Sequence, residues 1–73
     1  MAKLGVLSGE QVCAILIRHG FFEARRRGSH IVMQKQFPDT TRTVPVPDHA
    51  ELRIGTLQSI IRQSGVPRTE FEP

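Results

Sequence analysis

The chain has no tryptophan, no tyrosine and a single cysteine in 73 residues. Cys13 therefore has no partner for a disulfide within the chain, and no apolar leader with a cleavage site opens the sequence, so a reducing cytosol is the expected compartment. No apolar run approaches the ~20 residues needed to cross a bilayer, which sets a membrane aside as an expected partner. Also missing are a Cys/His cluster at zinc-binding spacing, a Gly-rich loop that would cradle phosphates and a pair of carboxylates at a useful separation. Most enzyme classes drop out with them, and neither a metal nor an organic cofactor is expected. No repeat, linker or low-complexity stretch divides the chain, so residues 1–73 read as one domain. A domain of this length buries only about 60% of the surface its unfolded form exposes, so its stability is modest and a partner that adds buried surface counts for much.

What the chain has instead is positive charge carried by arginine. Ten Lys and Arg stand against seven Asp and Glu, a net charge of +3, and eight of the ten cations are Arg. The planar guanidinium suits phosphate better than the point charge of lysine, which favours a polyanionic partner.

Ser8-Gly9-Glu10-Gln11 has the S-x-x-Q form of a capping box, and Leu7 can meet Val12 across it as a hydrophobic staple. Val12, Ile15, Leu16 and His19 follow at helical spacing and Gly20 supplies a left-handed stop, which predicts a helix from about Gly9 to His19. Cys13 widens the apolar stripe of that helix and reads as packing. Phe21 to Arg26 and Ser29 to Gln36 are short, rich in β-branched or aromatic residues and bounded by turn formers. They predict a hairpin joined at Arg27-Gly28. A turn at Phe37-Pro38-Asp39-Thr40 leads to a third strand, Thr41 to Val46, with Arg42, Val44 and Val46 on one face. Pro45 and Pro47 cannot donate to a ladder, which puts this strand at an edge. After a loop from Asp48 to Leu52, the spacing of Leu57, Ile60 and Ile61 and the stop at Gly65 and Pro67 predict a second helix over about Arg53 to Ser64. Thr69 is placed to cap a last turn that folds Phe71 onto the core. The expected fold class is α+β, in the order α-β-β-β-α. Both helices should cover one face of a three-stranded antiparallel sheet and leave the other open. Small double-stranded-RNA-binding domains have this order, but a fold does not by itself assign a function.

Three histidines set among arginines match a ribonuclease that works without a metal, in which His takes the proton of a ribose 2′-OH while cations hold the phosphate. The same composition fits a module that binds RNA without cutting it. Strand alternation puts His30 opposite Ile31 and Met33, on the open face, where composition alone leaves it either a bystander or a catalyst. His49, in the loop after the third strand, reads as a second acid/base, a substrate contact or a loop residue bonding to backbone. His19, at the end of the first helix, reads as structural. Arg25-Arg26-Arg27 is the densest charge run and is either a set of phosphate contacts or a solvated hairpin tip. Arg25 shares strand parity with Phe21, so its stem is expected to pack while its head reaches the sheet edge. For an RNA partner, the candidate contacts are Arg25, Arg26, Arg27, Ser29 and Lys35. A third reading is a protein-interaction module whose open sheet edge accepts a partner strand.

Gly20-Phe21 with Arg25, then Gly28-Ser29-His30, Val44-Pro45-Val46-Pro47 with His49, Gly55-Thr56-Leu57 with Ile60, and finally Gly65 and Phe71 together resemble the pattern of HicA toxins. The resemblance spans nearly the whole chain. It implies a double-stranded-RNA-binding-like fold, metal-independent cleavage of mRNA, and neutralisation by a HicB antitoxin that covers the active face. The histidine of the G-S-H motif is the family's catalytic residue, which falls on His30. Two positions depart from the usual pattern. Arg26-Arg27 is more basic than the polar-then-Lys pair common there, and Ile54 stands where Pro or Lys is common before the glycine.

Overall fold

In a computed structural model that describes residues 3–73, helix α1 (Gly9–Arg18) starts where the capping box puts it. Ser8 Oγ accepts from the Gln11 amide at 3.1 Å, and Gln11 Oε1 accepts from the Ser8 amide at 2.8 Å. Two of the helix's orphan donors are thereby satisfied. Leu7 packs against the cluster that contains the fully buried Val12, as a staple requires. The helix closes at His19, whose amide donates back to Leu16.

Three antiparallel strands follow, β1 (Phe22–Arg27), β2 (His30–Gln36) and β3 (Thr41–Pro47), in the spatial order β1-β2-β3. The first turn lies one residue later than the spacing predicts, at Gly28-Ser29, with Arg27 and His30 as the closing pair. Gly28 has φ +57° and Ser29 is not in the left-handed region. Positive φ confined to the first of two turn residues is the pattern of a type II′ turn, which selects glycine there and matches the twist of a hairpin. β3 is an edge strand, as Pro45 and Pro47 require.

Helix α2 (Ile54–Ser64) takes Gly55 and Thr56 into its first turn and ends at Gly65, φ +74°. A 3-10 turn at Arg68–Phe71 then puts Phe71, 1% exposed, into the core. Pro67 precedes that turn and no side chain caps it, so Thr69 does not have the capping role its sequence position suggested.

Ile31, Met33, Val44 and Val46 point from the sheet into one cluster with Val12, Ile15 and Leu16 of α1 and Leu57 and Ile60 of α2. Both helices therefore cover the same sheet face. Lys35 and Arg42 are register partners at the far end of that face and close the two helices. Lys35 Nζ donates to the His19 carbonyl at 2.8 Å and Arg42 Nη1 to the Ser64 carbonyl at 3.0 Å, cations on the negative ends of both helix dipoles. The Phe37 ring lies 5.3 Å from Lys35 Nζ and 5.2 Å from Arg42 Cζ, within cation–π range of both. Among the described residues no helix is long and apolar enough to cross a membrane.

Candidate functional site

His30 is the first residue of β2, exposed, and paired with Arg27 on one side and Pro47 on the other. Ile31 and Met33 are buried against the helices, so alternation turns His30, Val32 and Gln34 to the opposite, open face.

A β-bulge decides which arginines join it. The register of β1 against β2 slips between Glu23 and Arg25, leaving Ala24 as the extra residue. Before the bulge, Phe22 pairs with Gln34 on the open face and Glu23 with Met33 on the helix face. After it, Arg25 pairs with Val32 and Arg27 with His30, both on the open face, while Arg26 pairs with Ile31. Arg25 therefore does not share a face with the buried Phe21. The one-residue insertion reverses the parity that uninterrupted alternation predicts and turns the exposed Arg25 to the open face.

Arg26, turned the other way, is held by three carboxylates: Glu10 at 3.2 Å, Glu23 at 3.2 Å and Asp48 at 3.0 Å. Bonds from Glu23 and then Glu10 push its pKa further up. Lys35 also lies on the helix side, on the His19 carbonyl. Of the five sequence candidates for RNA contact, the fold brings Arg25, Arg27 and Ser29 to His30 and separates Arg26 and Lys35 from it. Neither Arg25 nor Arg27 makes an ion pair or side-chain hydrogen bond among the described residues. The open face carries no carboxylate at any of its strand positions.

His49 is exposed in the loop that follows β3, and that loop is strapped down at its start by two backbone bonds. The Asp48 amide donates to the Ser29 carbonyl at 2.6 Å, and the Gly9 amide donates to the His49 carbonyl at 2.9 Å. Gly9 permits this approach because a Cβ there would collide with the Pro47 carbonyl. The backbone of His49 thus has a structural role, and its ring stands two residues beyond the partner of His30. Gly9, Glu10 and Asp48 support the site without any motif in the sequence to announce them; only the contacts of α1 with the loop reveal it.

The other two chemically notable residues are structural. His19 Nε2 lies 3.0 Å from Glu70 Oε1, joining the end of α1 to the 3-10 turn. Cys13 is buried, and burial, followed by the charge of Glu10, pushes its thiol up to about 11, which keeps it protonated and unreactive. Among the described residues no three His, Cys, Asp or Glu side chains converge as metal ligands, and no enclosed pocket forms, so the site is an open surface.

Comparison with curated proteins finds no match. The family model described as the HicA toxin of bacterial toxin-antitoxin matches residues 9–66, which contain the hairpin, the strapped loop and both helices. The chain belongs to the HicA toxin family, the toxin side of a toxin–antitoxin pair.

Proposed function

We propose that this toxin is an endoribonuclease that cleaves mRNA with His30 as general base and without a metal. The observation that carries this reading is the placement of His30 on a carboxylate-free sheet face with two unbonded arginines, Arg25 and Arg27, in the neighbouring strand. His30 accepts the proton of a ribose 2′-OH, and the freed O2′ attacks the adjacent phosphorus. The P–O5′ bond then breaks, and the departing oxygen takes a proton from a general acid, for which His49 is the candidate. The products are a 2′,3′-cyclic phosphate and a 5′-OH. Arg27 and Arg25 stabilise the charge that develops on the phosphorane, and Ser29 offers a further hydrogen bond beside it. Positioned proton transfer supplies typically ~10²–10⁴-fold, enough for a slow toxin.

Incubating labelled RNA with the purified protein in EDTA tests this. Cleavage leaving cyclic-phosphate ends supports it; retardation without cleavage would instead mark a module that binds RNA without cutting it. The partner antitoxin is read as a HicB-type acidic protein that covers the same face, because a surface with cations and no carboxylates attracts RNA and an acidic protein alike. Titrating antitoxin into the cleavage reaction while following amide exchange should therefore show inhibition together with protection of residues 28–32.

A further inference from the structure

We infer that Phe22 is a base-stacking contact that makes the open face a reader of single-stranded RNA, gripping a nucleotide a few positions along the strand from the one held at His30. What happens at His30 rests on the ribonuclease reading; the case for Phe22 rests on separate observations.

Among the described residues, Phe21 and Phe71 are in the core and Phe37 lies between Lys35 and Arg42. Phe22 has neither kind of surrounding. It is 45% exposed, whereas the adjacent Phe21 is 3% exposed, and its pairing with Gln34 puts it on the face of His30. Val6, Ile17 and Ile54 are the other large apolar side chains left so exposed, and none is aromatic or in the sheet. Phe22 is therefore an aromatic ring offered to solvent on the same sheet face as the proposed reaction centre.

The rest of the face fits an extended polyanion. Along β2 it runs from His30 over the buried Val32 to Gln34, with Arg27, Arg25 and Phe22 beside it on β1. On β3 it is bordered by Pro47, Pro45 and Thr43, the last bonded to Gln34 at 3.4 Å. His30 and Gln34 are four residues apart on one strand, about 13 Å at the usual rise. A stacked strand covers that distance in about four nucleotides at 3.4 Å each, and an extended one in fewer. A duplex cannot use the ring, because its bases are stacked inside and it shows the protein only phosphates, 2′-hydroxyls and base edges. A single strand can turn a base onto Phe22 while Arg25 and Arg27 follow its backbone, and every base has a π-face to offer.

The chain has no Trp or Tyr to report stacking, so the signal must come from the RNA. The probe is a short 2′-O-methyl oligoribonucleotide, which lacks the attacking hydroxyl, carrying 2-aminopurine whose fluorescence is quenched on stacking. The single strand is expected to bind with quenching, and more tightly than the same sequence annealed to its complement. Phe22→Ala should lower single-strand affinity roughly 5- to 150-fold and abolish the quench while leaving duplex binding and the melting temperature unchanged. Phe22→Trp should restore both. Equal affinity for single strand and duplex, wild-type binding by Phe22→Ala, or a loss confined to antitoxin binding would each overturn the inference. Cleavage of ordinary RNA is scored separately. Phe22-dependent stacking by a protein that does not cleave removes the ribonuclease reading and keeps this one, whereas cleavage and binding indifferent to Phe22 do the reverse.

Discussion

The two faces of the sheet are both basic, but their cations are in different states. On the helix side, Arg26 holds three carboxylates, and Lys35 and Arg42 each close the end of a helix. On the open side, Arg25 and Arg27 have no such partners among the described residues. Local density of charge does not distinguish the groups, since Arg25, Arg26 and Arg27 are consecutive. Strand parity and one bulge do, and they separate the cations that hold the fold from those available to a polyanion.

The comparison is broken most severely by removing the group it is meant to serve. His30→Ala should reduce RNA cleavage by ~10²–10⁴-fold with an unchanged melting temperature, since an exposed strand position makes little core contact. Cleavage at the wild-type rate by equal amounts of protein would remove His30 from the mechanism. Next in size are changes that act through the support of the site. Leu57→Ala, at a fully buried position, should cost about 2–5 kcal/mol in denaturant unfolding. Gly9→Ala should cost about 1–3 kcal/mol by overpacking against the Pro47 carbonyl, and it should slow cleavage as well because the His49 loop is displaced. A smaller and more selective effect separates the faces directly. Arg25→Ala and Arg27→Ala should each flatten the slope of log K against log salt for single-stranded RNA by about 0.7, one phosphate contact apiece. Arg26→Ala should leave that slope alone and lower the melting temperature. The reverse result would put Arg26 on the RNA.

The smallest effect concerns Cys13. Its thiol is raised from 9.0 to about 11, so the fold favours the protonated form. The stability from that preference is fully present below 9.0 and is lost as pH rises through about 11. Native protein should resist alkylation near neutral pH and denatured protein should react. Rapid labelling of the native form would place the thiol outside the core.

Much of this architecture is legible in the residues because it is local. The capping box at Ser8 and Gln11, the left-handed stop at Gly65 and the prolines of an edge strand each state their geometry within a few positions. Alternation from Ile31 and Met33 puts His30 on the open side, and by the same rule it puts Lys35 on the other, a signal that the basic composition hides. The bulge at Ala24 is not legible. No glycine or turn former marks it, and it exists only as a mismatch between two strands, so the side on which Arg25 stands follows from pairing and not from spacing. The three-carboxylate clasp on Arg26 is likewise assembled from α1, β1 and the loop after β3, which no window of sequence contains together. The strap through Gly9 reads from sequence only as a helix start.

The prolines of β3 bear on how the molecule behaves in a crowd. Pro45 pairs with Val32 and Pro47 with His30, and because the next amide, that of Asp48, donates to the Ser29 carbonyl, alternation turns both proline nitrogens away from β2, where each would otherwise present a donor along the outer margin. A strand from another molecule arriving at these two positions finds carbonyls without the matching amides, which interrupts the ladder there. Two residues of the chain thus blunt the β3 margin against edge-to-edge association.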